Sequence, residues 1–138
     1  MTIAICTYNG ATRLPEVLEA LVNQQTPDSI AWEVLVIDNN STDNTAAIVE
    51  HYTKCWRDDV PLRYRFEPHQ GTTYARQQAF QAARGDWVGI LDDDNLPPPD
   101  WITQAIAFIQ QSAIDRPPTR RLWRQHPPPT GSRATPRI

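Results

Sequence analysis

Several common frameworks are missing from this sequence. Its two cysteines, Cys6 and Cys55, do not stand at metal-ligand spacing. Without evidence of export they argue against a disulfide scaffold: Cys6 reads as a core residue and Cys55 as a free thiol of an intracellular protein. No apolar run approaches the roughly 20 residues of a membrane span. The opening run Met1–Cys6 has no basic leader and makes a poor signal peptide, so a cytoplasmic location is expected. Glycine is scarce, five in 138 residues, and neither usual phosphate loop is present: there is no Gly-x-Gly-x-x-Gly and no Walker lysine motif. Residues 116–138 contain no acid at all.

That last absence exposes a charge division. Residues 1–115 hold all 16 acids and seven of the 13 bases, whereas residues 116–138 hold six arginines and six prolines. The segment from Arg116 shows no periodicity and reads as a disordered Arg/Pro-rich tail, placed with its lead-in at 113–138. Without lysines or interleaved aromatics it is not expected to bind nucleic acid.

Before that point, strand and helix patterns alternate. Thr2–Cys6 is an apolar, β-leaning run. Leu14, Val17, Leu18, Leu21 and Val22 follow helical spacing over 14–25, with Pro15 in the first turn. Trp32–Ile37 is apolar on both faces, as a covered parallel strand should be. A helix over 44–56 follows, with Ser41 or Thr42 available as cap. In 62–67 arginines alternate with Leu62, Tyr64 and Phe66, which suggests one wet face and an edge position. Residues 72–84 read as a helix with Ala75, Ala79, Phe80 and Ala83 on its core face and Gly85 as its stop. Trp87–Leu91 is read as a buried strand. A last helix opens at Pro99-Asp100 and runs to about Ser112, burying Trp101, Ile102, Ala105, Ile106 and Ile109. The βα repeat predicts an α/β fold: a mostly parallel sheet with helices on both faces and right-handed crossovers.

Three of these strands end in polar loops: Thr7-Tyr8-Asn9, Asp38 to Asp43, and Asp92-Asp93-Asp94. In open α/β sheets ligands bind outside the carboxyl ends of the strands. Three adjacent carboxylates repel one another, and a hard divalent cation relieves that repulsion, taking its remaining ligands from phosphate and water. A tyrosine face for a base, a carboxylate for a base N–H and acids for a metal-diphosphate together make a nucleotide site. Each loop also has a plainer reading, as a turn or a helix cap.

Thr7-Tyr8-Asn9, Val36 to Thr45, Ala75-Arg76 within Gly71–Asp86, and Leu91-Asp92-Asp93-Asp94 resemble, in order and spacing, the family 2 inverting glycosyltransferases of the GT-A fold. The resemblance covers residues 1–112, which would form the donor-binding half of such a domain. It implies that Thr7, Tyr8 and Asn9 line the nucleotide pocket, with Tyr8 against the base, and that Asp38 accepts a hydrogen bond from the base. Arg76 would reach the nucleotide, although Gln77 stands where the family has Asn; a surface ion pair is the alternative for Arg76. Asp92-Asp93-Asp94 matches the Asp-x-Asp motif, with Asp92 and Asp93 on the nucleotide side and Asp94 holding Mn²⁺ or Mg²⁺.

The implied reaction is attack by an acceptor hydroxyl on the anomeric carbon of a nucleotide-diphosphate sugar, UDP-linked, with inversion, in polysaccharide or glycoconjugate biosynthesis. The acceptor would be a saccharide or a lipid-linked one, with peripheral membrane association. The family's general base is an acid in the half after the Asp-x-Asp strand, and no acid follows Asp115. A truncated or frame-shifted product is therefore expected, and the second hypothesis is a non-catalytic fragment that binds nucleotide-sugar and metal. A nucleotidyltransferase would carry a glycine-rich basic loop after its first strand, and residues 7–13 are not one. A flavodoxin-like or receiver domain would leave Tyr8 and Arg76 unexplained.

Overall fold

The structure, a computed structural model, describes residues 1–115, of which 113–115 as helical backbone only. The expected Arg/Pro-rich tail from Arg116 lies outside the described residues. Eight elements alternate along the chain: β1 (Thr2–Thr7), α1 (Leu14–Val22), β2 (Glu33–Asp38), α2 (Thr45–Cys55), β3 (Leu62–Phe66), α3 (Thr72–Ala82), β4 (Val88–Asp92) and α4 (Trp101–Asp115). The four strands form one parallel sheet in the order β3-β2-β1-β4. Type and order of every element follow the sequence pattern, with ends displaced by at most three residues. Residues 1–104 form one compact unit, and the chain from Ala105 onward belongs to another.

In the first unit the sheet is covered on both faces. Strand side chains alternate, so Ala4, Leu35 and Ile37 point to one face, where they meet Ala75 and Ala79 of α3. Ile3, Ile5, Val34 and Val36 point to the other, the side of α1 and α2, whose Leu14, Val17, Leu18, Leu21 and Val49 are fully or almost fully buried. The central strands β1 and β2 carry the greatest burial, since they are paired on both sides. Burying one such side chain contributes about 1.5–3 kcal/mol.

Five local expectations give way. Among the described residues β4 is an edge strand, not a buried one: Val88, Gly89 and Ile90 are half-buried and of its apolar residues Leu91 alone is buried. An apolar run reports its own hydrophobicity and not how many neighbours it will have. Phe80, expected in the core, is 59% exposed, because α3 meets the sheet with its alanines. Neither Ser41 nor Thr42 caps α2; the residue before it is Asn44, and the Asp43 carboxylate accepts from the N–H of Thr45 instead. Gly85 is not the helix stop, since α3 has already ended at Ala82 with Ala83 as its cap. A Cβ at Gly85 would stand 2.6 Å from the Met1 carbonyl carbon and 2.7 Å from the Thr2 nitrogen. Gly85 is there so that the chain entering β4 can pass against β1. Along α4, Ile102 is buried, whereas Trp101, Ala105, Ile106 and Ile109 are only partly so.

At the amino ends of the strands lies a closed polar cluster. Glu33 is 5% exposed and accepts hydrogen bonds from Thr2 Oγ1 (2.7 Å), the Arg84 N–H (2.9 Å) and Arg63 Nη1 (3.0 Å). Burial alone would raise its pKa, but these three donors outweigh it and hold the carboxyl below the ordinary glutamate value. Arg63 donates onward to the Ala82 carbonyl, and the Gly85 N–H donates to Thr2 Oγ1.

Candidate functional site at the carboxyl ends of the strands

The register sets Thr7 beside Asp38, Asp38 beside Phe66 and Cys6 beside Asp92. Parallel pairing thus brings the three polar strand ends onto one rim, as the sequence pattern implies. Hydrogen bonds between the loops fasten that rim. The Asn9 N–H donates to Ser41 Oγ (2.9 Å), and Asn9 Oδ1 accepts from the Thr42 N–H (2.8 Å). The Gly10 N–H donates to Thr45 Oγ1 (3.0 Å) and the Ala11 N–H to Asp43 Oδ2 (3.1 Å). Burial works against the Asp43 charge, yet donors from Thr45 and Ala11 hold its carboxyl below the ordinary aspartate value. Asn9 and Asn40 have φ of 48° and 65°, the left-handed region that asparagine tolerates in turns.

Asp38 is 2% exposed and already partnered. Its Oδ1 accepts from the Ser41 N–H (2.9 Å) and its Oδ2 from the Tyr64 hydroxyl (2.7 Å). Burial, reinforced by the hydrogen bond to Asp38, pushes the Tyr64 phenol far above its ordinary value, so it stays a donor at any physiological pH. Each carboxylate oxygen keeps a second lone pair for another donor. The neighbouring Asn39 side chain holds the loop before α3, accepting from the Gly71 N–H (2.7 Å) and donating to the His69 carbonyl (2.7 Å).

The three acids are not equivalent. Asp92 and Asp94 are exposed, and among the described residues their carboxylates accept no hydrogen bond. The Asp93 side chain is only 13% exposed. It accepts from Thr7 Oγ1 (2.5 Å) and, in a two-pronged pair, from Arg13 Nε (3.1 Å) and Nη2 (2.9 Å). Arg13 Nη2 also reaches the Tyr8 carbonyl (3.2 Å), and the hydrogen bond and charge of Asp93 hold the guanidinium above its ordinary pKa. Beside this pair lies a cleft of about 230 Å³ lined by Thr12, Arg13, Glu16, Val17, Asp93, Asp94 and Leu96.

Tyr8 is 44% exposed at the rim. Arg76, on α3, is exposed and makes no ion pair among the described residues, so the surface-pair alternative has no partner there. Cys6 reports its whereabouts. Burial pushes the Cys6 thiol up to about 11, with Arg76 lowering it and Asp92 raising it. Arg76 and Asp92 therefore both lie within electrostatic reach of the carboxyl end of β1.

No group of three or more His, Cys, Asp or Glu side chains that could hold a metal occurs among the described residues. Arg13, Gly10, Tyr64 and Asn39 were not singled out by the sequence pattern. Tyr64 carried a signal, as one of the alternating residues of an edge strand, but its partner Asp38 lies 26 residues away.

Comparison with known proteins places this geometry. The model of the family described as "Glycosyl transferase family 2" matches residues 2–121. The glycosyltransferase AglE of Haloferax volcanii is 29% identical over 115 residues, covering 83% of this chain and 37% of AglE. The chain spans about a third of the length of the first curated relatives it matches. Among solved structures, Staphylococcus aureus TarS 1–349 in complex with UDP superimposes with a TM-score of 0.69 at 30% identity, covering 80% of this chain and 32% of that one. The mannosyltransferase PcManGT of Pyrobaculum calidifontis, in complex with GDP-Man and Mn²⁺, gives 0.67 at 32% identity, covering 78% and 30%. A four-stranded parallel sheet with this rim, and a family match over most of its length, lead to one conclusion: the chain belongs to glycosyl transferase family 2.

Proposed function

We propose that residues 1–112 form the donor half of an inverting glycosyltransferase and hold a nucleotide-diphosphate sugar, UDP-linked, at the strand-end rim. The observation that carries this reading is the pair of exposed carboxylates, Asp92 and Asp94, on the same rim as the cross-fastened loop bearing Tyr8 and Asn9 and the buried strand end Asp38. Tyr8 offers its ring to the base. Asp38 is held rigidly by Ser41 and Tyr64, so it meets a base N–H without reorganising. Thr7 and Asn9 shape the pocket floor, and Arg76 and Asp92 face the ribose and diphosphate.

Asp94, with Asp92 beside it, suits a divalent ion. Mg²⁺ or Mn²⁺ in phosphate sites takes one or two protein carboxylates and the rest from phosphate and water, so no full protein cage is needed. When bound, such an ion neutralises charge on the departing diphosphate. In the reaction, the acceptor oxygen forms a bond to the anomeric carbon, the bond to the diphosphate oxygen breaks, and the hydroxyl proton passes to a general base. The acceptor is a saccharide or lipid-linked hydroxyl of polysaccharide or glycoconjugate synthesis, worked on in the cytoplasm with peripheral membrane contact.

A second reading has its own support: the chain spans about a third of the length of the first curated relatives it matches, and its residues supply the donor side alone. On that reading the chain binds nucleotide-sugar and metal without turnover. Calorimetric titration of the full chain with uridine diphosphate, with and without Mn²⁺, tests the shared core of both. Metal-dependent binding that Asp94→Ala abolishes is expected; no binding by a folded sample overturns both. Release of uridine diphosphate from a UDP-sugar in the presence of acceptor separates the two.

A further inference from the structure

The triple acid poses a question of chemistry: which of three adjacent carboxylates is free to meet a cation. Asp93 is the one already engaged by internal donors. Thr7 donates to it at 2.5 Å and the Arg13 fork at 2.9 and 3.1 Å, while the carboxylates of Asp92 and Asp94 take no hydrogen bond among the described residues. A two-pronged guanidinium–carboxylate pair fixes geometry as well as charge. The backbone is shaped around it. A Cβ at Gly10 would stand 2.8 Å from Asp93 Oδ2 and closer still to Thr7 Oγ1, so the loop after β1 closes on this pair only because residue 10 is glycine. The Gly10 carbonyl in turn accepts the N–H groups of Arg13 and Leu14 at the start of α1, which aims the Arg13 side chain back across the loop.

We propose that Arg13 and Asp93 are a positioning pair. The pair removes the middle acid from the cation site, cancels one of three adjacent negative charges, and ties the Tyr8-bearing loop to the tip of β4. Asp92 and Asp94 then project from a backbone held on both sides, and Arg13 acts on the nucleotide through Asp93 and not by touching it. This deepens the proposed function and rests on it for its ligand. Its structural half, the coupling of Arg13 to Asp93, stands without any ligand.

The test is a double-mutant cycle on the full chain with Arg13→Ala, Asp93→Asn and both, and with Arg13→Lys and Asp94→Ala as references. Two readouts are taken: the thermal midpoint without ligand, and affinity for uridine diphosphate with and without Mn²⁺. Each single change is expected to weaken binding about tenfold, and the double change no more than either one. The gain in affinity on adding Mn²⁺ should survive in Arg13→Ala and Asp93→Asn and vanish in Asp94→Ala. Arg13→Lys, a point charge without the fork, should recover little. Loss of the Mn²⁺ gain in Asp93→Asn would make Asp93 a metal ligand and overturn the proposal. So would an Arg13→Ala loss that persists undiminished in the Asp93→Asn background, which would place Arg13 on the nucleotide. Should the unaltered chain bind no uridine diphosphate, the proposed function falls separately, and the thermal cycle decides the pair: non-additive midpoint shifts uphold it and additive ones overturn it.

Discussion

The two ends of the sheet are built from the same kinds of residue to opposite purposes. At the amino ends, Glu33 is buried and saturated by Thr2, Arg63 and the Arg84 N–H. At the carboxyl ends, Asp92 and Asp94 stand exposed, with no internal donor among the described residues. A buried carboxylate needs donors to offset its lost hydration, and Glu33 has three of them, so the first cluster serves the fold. The oxygens of Asp92 and Asp94 are left to solvent and so stay open to a ligand, whereas those of Glu33 are committed to the fold. Asp93 shows the difference within a single turn: it shares a tip with two open acids, yet its own partners are internal, like those of Glu33.

The comparison can be broken most severely at the amino end. Glu33→Ala leaves Arg63 and Thr2 without their acceptor and should cost about 2–3 kcal/mol of unfolding free energy by chemical denaturation, with metal-dependent nucleotide binding retained in the folded fraction. Gly85→Ala forces a Cβ against the backbone of Met1 and Thr2 and should cost about 1–3 kcal/mol in the same measurement. Asp94→Ala at the other end should reverse the pattern: stability within about 0.5 kcal/mol of the parent and no Mn²⁺-dependent binding.

The pH dependence sharpens the contrast. The Glu33 carboxyl titrates lower in the folded chain than in the unfolded one, so its stabilisation is present above the ordinary glutamate range. That contribution should drain away as pH falls through the lowered folded value. Denaturation midpoints of parent and Glu33→Gln should therefore differ at neutral pH and converge in acid; an unchanging gap would remove Glu33 from its role. The smallest effect concerns the thiols. Cys6, held protonated with a pKa of about 11, should resist alkylation at pH 7.5 in the native chain, while exposed Cys55 is modified.

Periodicity carried the eight elements and their parallel arrangement, because each strand and helix signals its own buried face. The edge position of β3 was readable too, from arginines alternating with Leu62, Tyr64 and Phe66. What periodicity does not encode is who pairs with whom. Trp87–Leu91 is as apolar as a central strand, yet among the described residues β4 has one neighbour. Phe80 lies on the apolar side of α3 and is still exposed, because alanines let that helix sit close to the sheet at other positions.

The site divides in the same way. Strand-end acids and Tyr8 announce themselves by type and place. The Arg13 fork on Asp93 spans 80 residues of sequence, and the Tyr64 hydroxyl on Asp38 spans 26. Contacts of that reach exist only once β1, β2 and their neighbours are in register.

The most direct test of the contrast is the thermal midpoint of the full chain with and without uridine diphosphate plus Mn²⁺. A ligand that binds only the folded chain must raise it, by roughly several degrees at a hundredfold excess over the dissociation constant. The predicted result is that rise, abolished in Asp94→Ala and kept in Glu33→Gln at its own lower midpoint. A cooperative transition that ligand and metal leave unmoved would contradict the assignment of the carboxyl end as the binding end.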